Sequence, residues 1–143
     1  MDIHVNAAGF SDAPEALLSG AVAIALDSED ATEGELSLTL LDDEAIRALN
    51  REYLGRDYVT DVIAFALQDH GEPLLGDIYI GLEQAQRQAR QLGTDTSKEL
   101  ARLAIHGTLH VLGHDHPEGE DRVESPMWAL QETLLTRLLD ADT

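Results

Sequence analysis

A chain of 143 residues is the length of one ordinary domain, here 1–143, and is long enough to bury a core without staples. The absence of cysteine excludes disulfides, thiolate metal sites and a cysteine nucleophile, so any chemistry must come from histidine, carboxylates, hydroxyls or a bound metal. The net charge of −19 is uneven: residues 1–44 hold eleven acids and no base, 45–114 nine acids and seven bases, and 115–143 eight acids and two bases, so only the middle third could offer nucleic acid a local basic surface.

Ile3 and Val5 share one face of a first strand over Met1–Asn6. After Asp12-Ala13-Pro14, apolar residues from Leu17 to Leu26 recur at helical spacing and predict a first helix. The acidic segment Asp27–Gly34 is a loop, and Leu36, Leu38 and Leu40 alternate with Ser37 and Thr39 as a half-buried strand. Asp42 or Asp43 caps a second helix that Gly55 ends. Val59–Leu67 and Leu74–Leu82 are two strands joined through His70-Gly71-Glu72-Pro73, the turn of a hairpin. Gln84–Leu92 is a short polar helix closed by Gly93, and Thr96-Ser97-Lys98-Glu99 is a capping box for a longer helix that stops at Gly113. Ser125-Pro126 opens a last helix with Met127, Leu130, Leu134, Leu135 and Leu138 inward. The order predicts an α/β sandwich with one mixed four-stranded sheet packed by about five helices. No window reaches the roughly eighteen apolar residues of a membrane span, and Met1-Asp2-Ile3-His4-Val5 lacks the features of a signal peptide; the expectation is a cytoplasmic chain with no membrane partner.

Four of six histidines lie in His106-Gly107-Thr108-Leu109-His110-Val111-Leu112-Gly113-His114-Asp115-His116. His106 and His110 are one helical turn apart, about 6 Å along the axis, so both imidazoles point from one face. Gly113 can take the left-handed conformation that ends a helix, which lets the chain double back and bring His116 to the same point. Three histidines with an open fourth position are the ligand set of catalytic zinc, one per chain. The spacing equals that of the long zincin motif, but Gly107 stands where that motif has its general-base Glu. A peptidase of that kind would lack its base, and the missing side chain would leave room for a bulky group beside the metal.

The same eleven residues resemble the signature H-G-x-L-H-x-x-G-x-D-H of the YbeY family of bacterial endoribonucleases. Leu49-Asn50-Arg51-Glu52-Tyr53, Thr60-Asp61-Val62 with Phe65, and Gly76-Asp77-Ile78 extend the resemblance over roughly residues 35–135. The resemblance implies His106, His110 and His116 as zinc ligands and an activity on rRNA precursors, in rRNA maturation and ribosome quality control. Further partners would be ribosomal proteins or small-subunit assembly factors. Two positions depart from the pattern: Leu54 stands where the family usually has an arginine, and Gly81 where a small hydroxyl or thiol residue is common. Arg56 is the nearest cation able to take over the arginine's role and is the catalytic candidate.

The reading is therefore a zinc-dependent endoribonuclease acting on single-stranded RNA, with water or the RNA 2′-OH as nucleophile. RNA would follow Arg51, Arg56, Arg87, Arg90, Lys98 and Arg102; Asp115 would orient a ligand or fix the turn, and His114 is a proton-transfer candidate. Two alternatives stand beside it: a metal-dependent hydrolase of another substrate, and a non-catalytic ribosome-assembly factor with a structural zinc.

Overall fold

Leu36, Leu38 and Leu40 alternate with polar neighbours, and all three are buried in β2 (Gly34–Leu41) of the computed structural model, which describes residues 1–115, 123 and 125–141. With β1 (Asp2–Asn6), β3 (Val62–Ala66) and β4 (Leu74–Gly81), this strand forms a four-stranded sheet of order β1-β2-β4-β3. The pairs β1–β2 and β2–β4 are parallel and β3–β4 is antiparallel, so the sheet is mixed, as expected. Parallel neighbours need crossovers, and helices α1 (Glu15–Ser28) and α2 (Asp43–Leu54) provide them. The hairpin turn holds Gly71 at φ +84°, where a glycine costs nothing. β3 starts three residues later than expected: Val62 pairs with Ile80, and before it the Asp61 carbonyl accepts the Gly81 N–H at 2.9 Å.

Three more helices follow: α3 (Leu82–Leu92), α4 (Thr96–Val111) and α5 (Pro126–Ala141). α4 begins one residue off the expected capping box. Asp95 is the cap, accepting the Lys98 N–H at 2.7 Å, while Glu99 turns inward and is almost fully buried. None of the helices is long and apolar enough to cross a membrane among the described residues.

One face of the sheet (Leu36, Leu38, Leu40, Ile78 and Ile80) packs against α1 and α4, and α5 covers α4 with Met127, Leu134, Leu135 and Leu138. Two glycines let α4 settle directly on β4. A Cβ on strand residue Gly76 would lie 2.6 Å from a Val111 methyl, and one on helix residue Gly107 would lie 2.8 Å from the Ile78 Cγ2 methyl. The space expected beside a metal at Gly107 is therefore taken by Ile78 and Val62 of the sheet. Glycine is required there for helix–sheet contact, and that contact fixes the height of the helix that carries the histidines.

Candidate active site

His106 and His110 lie on one face near the C-terminal end of α4, their ring centroids 4.6 Å apart and their Nε2 atoms separated by 3.1 Å. The helix stops just beyond them. Gly113 adopts φ +103°, its N–H donates to the His110 carbonyl at 3.0 Å, and the His114 N–H donates to the Leu109 carbonyl at 2.9 Å. This turn brings the His114 carbonyl within 3.1 Å of His110 Nδ1. A carbonyl can only accept, so His110 carries its proton on Nδ1 and directs the Nε2 lone pair inward. On the other side, His106 Nδ1 lies 2.6 Å from Gln131 Oε1 of α5, and both side chains are buried.

Two lone pairs facing each other at this distance repel, and a cation between them, or in the metal-free protein a water that donates to both, relieves that repulsion. Two imidazole nitrogens on a tetrahedral zinc, each bonded at about 2.0–2.1 Å, are about 3.3 Å apart. The donor chemistry of the pair thus fits two ligands of such an ion, with an oxygen acceptor behind each ring as metal-binding histidines require. His116 lies outside the described residues, and among those described no group of three histidines or carboxylates forms.

The pair opens on both sides. A cleft of about 640 Å³ between α3, α4 and α5 is lined by His106 together with Asp61, Gln91, Lys98 and Trp128. A second cleft, of about 450 Å³, runs along β3 and is lined by His110, Leu54, Val62, His114 and Asp115.

The expected RNA-following cations divide sharply. Arg102 is nearly buried and held by Glu99 and Glu132; burial disfavours its charge, but the hydrogen bonds to Glu132 and Glu99 more than offset this and raise its pKa. Arg87 is locked to both carboxylate oxygens of Asp43 at 2.7 and 2.9 Å. Both arginines are thus engaged in internal pairs, Arg102 at the wall of the His106 cleft and Arg87 partly exposed. Arg51 and Arg90 are exposed, and Lys98 stands at the His106 cleft. Arg56 is exposed in the loop after the left-handed cap Gly55, its N–H donating to the Asn50 carbonyl at 3.3 Å; buried Asn50 also donates from its side chain to the Tyr58 carbonyl at 3.0 Å. Leu54, not Arg56, lines the His110 cleft. The His114 ring is bonded to Glu29 at the end of α1, so His114 contributes to the pair through its backbone.

A sequence profile of the family described as Endoribonuclease YbeY matches residues 4–139. The chain is 43% identical over 135 residues to a Geobacillus kaustophilus protein named Endoribonuclease YbeY, covering 86% of this chain and 83% of that one. A Desulfitobacterium hafniense protein of the same name is 48% identical over 105 residues, 66% of this chain and 67% of its own. The chain belongs to the endoribonuclease YbeY family. The solution structure of the Thermotoga maritima protein TM1509 has the same fold, with a TM-score of 0.67 at 24% identity over 97% of this chain and 90% of that one.

Against the YbeY pattern, Gly81 now has a physical reason. A Cβ there would lie 2.9 Å from the Thr60 carbonyl oxygen, so a serine or cysteine would push the backbone apart where Asp61 accepts the Gly81 N–H. Three site residues escaped the sequence reading: Gln131, Glu132 and Trp128. Gln131 did leave a signal, since it interrupts the apolar stripe Met127, Leu134, Leu135, Leu138 with a polar side chain that is nonetheless buried.

Proposed function

We propose that this YbeY-family nuclease is a zinc-dependent endoribonuclease that cleaves single-stranded RNA, with rRNA precursors as substrate, and that it acts in the cytoplasm in rRNA maturation and ribosome quality control. Family membership supports the nuclease activity. The observation that carries the metal is the His106–His110 pair, whose Nε2 atoms face each other with an oxygen acceptor behind each ring. His116 is the third ligand in this reading, at one zinc per chain.

Bound there, zinc would supply Lewis acidity toward a phosphoryl oxygen. The chain's own residues do the rest. Gln131 and the His114 carbonyl hold the Nδ1 protons and so keep both Nε2 atoms available as ligands. Arg56 offers a planar guanidinium to the phosphate as charge builds on it, and its loop is held in place by Asn50. Leu54 and Val62 give the His110 cleft an apolar wall beside His114 and Asp115. Preference for a single strand follows from the charge: Arg87 and Arg102 are neutralised internally, so an acidic chain lacks the continuous basic face that follows a duplex backbone. Ribosomal proteins and small-subunit assembly factors are the partners that such a substrate would bring.

Metal analysis combined with cleavage of labelled RNA tests the proposal. Wild type should hold one zinc and cut a single strand much faster than the same sequence in a duplex, and His110→Ala should lose both metal and cleavage. His110→Ala cutting at the wild-type rate, or equal cutting of duplex and single strand, would contradict it.

A further inference from the structure

His110 faces an oxygen that can only accept, but His106 faces an amide, and an amide can turn either way. With Oε1 toward the ring, Gln131 fixes the proton on His106 Nδ1. With its NH2 toward the ring, it would instead demand a lone pair at Nδ1 and move the proton to Nε2, pointing it at His110. Something must therefore decide the orientation of Gln131.

Its other end decides. Gln131 Nε2 donates to Glu132 Oε2 at 3.1 Å. A carboxylate has no proton to give, so turning the amide would set oxygen against oxygen there and nitrogen against the ring. Glu132 in turn is gripped by Arg102, whose Nε and Nη2 donate to its two oxygens at 3.0 and 3.1 Å. Arg102 is held from the far side by Glu99, and Glu99 also accepts from Gln88 Nε2 at 2.8 Å. Arg102 and Glu99 are almost buried and Gln131 is 1% exposed, whereas the Glu132 side chain is about one-third exposed at the His106 cleft, so the buried members depend chiefly on one another for partners.

We propose that Gln131 and Glu132 are positioning residues: Glu132, two side chains away from His106, orients the Gln131 amide and thereby sets the tautomer in which His106 turns its Nε2 lone pair toward His110. The device differs between the two rings. His110 takes its tautomer from the backbone turn at Gly113, whereas that of His106 depends on a side-chain chain anchored by Arg102 and Glu99. The consequence for zinc affinity rests on reading His106 as a ligand; the tautomer itself does not.

The test uses the full chain, first free of metal at a pH where the rings are neutral, with the tautomer read from imidazole nitrogen-15 NMR, and then in zinc titrations against a chromophoric chelator. Wild type should show His106 protonated at Nδ1 alone. Glu132→Gln, which can accept or donate toward Gln131, should give a mixture of tautomers and weaken zinc about tenfold; Gln131→Leu should weaken it about 10–100-fold. Gln131→Glu combined with Glu132→Gln restores an obligate acceptor at the ring and lets the new amide donate to the new carboxylate, so this double variant should recover the single tautomer and at least the wild-type affinity, which a merely structural role for this position would not foretell. If Gln131→Leu fails to fold, the two conservative variants carry the test. A single Nδ1–H tautomer and unchanged zinc affinity in Glu132→Gln would overturn the proposal. The expected tautomers in a protein that neither binds zinc nor cuts RNA would uphold it while removing the function proposed above.

Discussion

The C-terminal half of α4 and the connection from α2 to β3 both border the histidine pair, yet they are built by opposite rules. On α4, Gly107 lies against Ile78 and Val111 against Gly76. Both histidines are backed by an oxygen, and little can change without moving a neighbour. In the connection, Leu54 and Tyr58 are about half exposed, and Arg56 is exposed with its N–H donating to the Asn50 carbonyl. The lesson is that the histidine pair is fixed by core packing, whereas the connection that would meet the phosphate in the proposed function stands at the surface. Leu54, where the YbeY pattern usually has arginine, falls in the second region; the histidines fall in the first.

The widest test of that contrast is Arg56→Ala. If the surface half supplies the charge on the phosphate, this variant should lower RNA cleavage by roughly 10²–10³-fold with zinc content and melting temperature unchanged. Adding Leu54→Arg should restore part of the activity, because residue 54 already lines the His110 cleft. Cleavage by Arg56→Ala at the wild-type rate would mean that the connection does not provide the charge.

Gly107→Ala probes the packed half. Alanine gains about 1 kcal/mol of helix propensity, but its Cβ would meet the Ile78 Cγ2 methyl at 2.8 Å, a β-branched group in the core with no room to swing away. Overpacking of this kind costs about 1–3 kcal/mol, so net destabilisation is expected in denaturant unfolding. A stabilised Gly107→Ala would show that α4 has slack against the sheet.

How much of this was legible in the sequence follows the same division. The histidine pair and the left-handed Gly113 could be read because both are local: a four-residue spacing and a glycine at a helix end. The βαβαββααα order was legible for the same reason. Gly107 was not, since its role depends on Ile78, a residue of a distant strand whose methyl lies beneath it. The pairing of Arg102 was not, because its partner Glu132 lies 30 residues further on, although the spacing to Glu99 was visible. The cap at Asp95 was displaced by one residue because Thr96 and Asp95 are both good caps and only the backbone conformation separates them.

The smallest effect belongs to Asp43 and Arg87, which join α2 to α3 at the surface. The hydrogen bond from Arg87 holds the Asp43 carboxyl below its ordinary value. A lowered carboxylate contributes stability above its unfolded value, about 3.9, and loses it as pH falls through the folded one. The stability gap between wild type and Arg87→Ala should therefore be small and constant near neutrality and should close below about pH 4. A gap that persists in acid would assign the effect to packing of the arginine stem.

The central claim is that the His106–His110 pair, completed by His116, holds the one zinc on which cleavage depends. Zinc titrated into chelator-treated protein, with cleavage of a labelled single-stranded RNA followed at each addition, tests it most directly. The account predicts no cleavage without metal, a rise that breaks at one equivalent, and no rise in His106→Ala. Undiminished cleavage by the metal-free chain, or the same rise in His106→Ala, would contradict it.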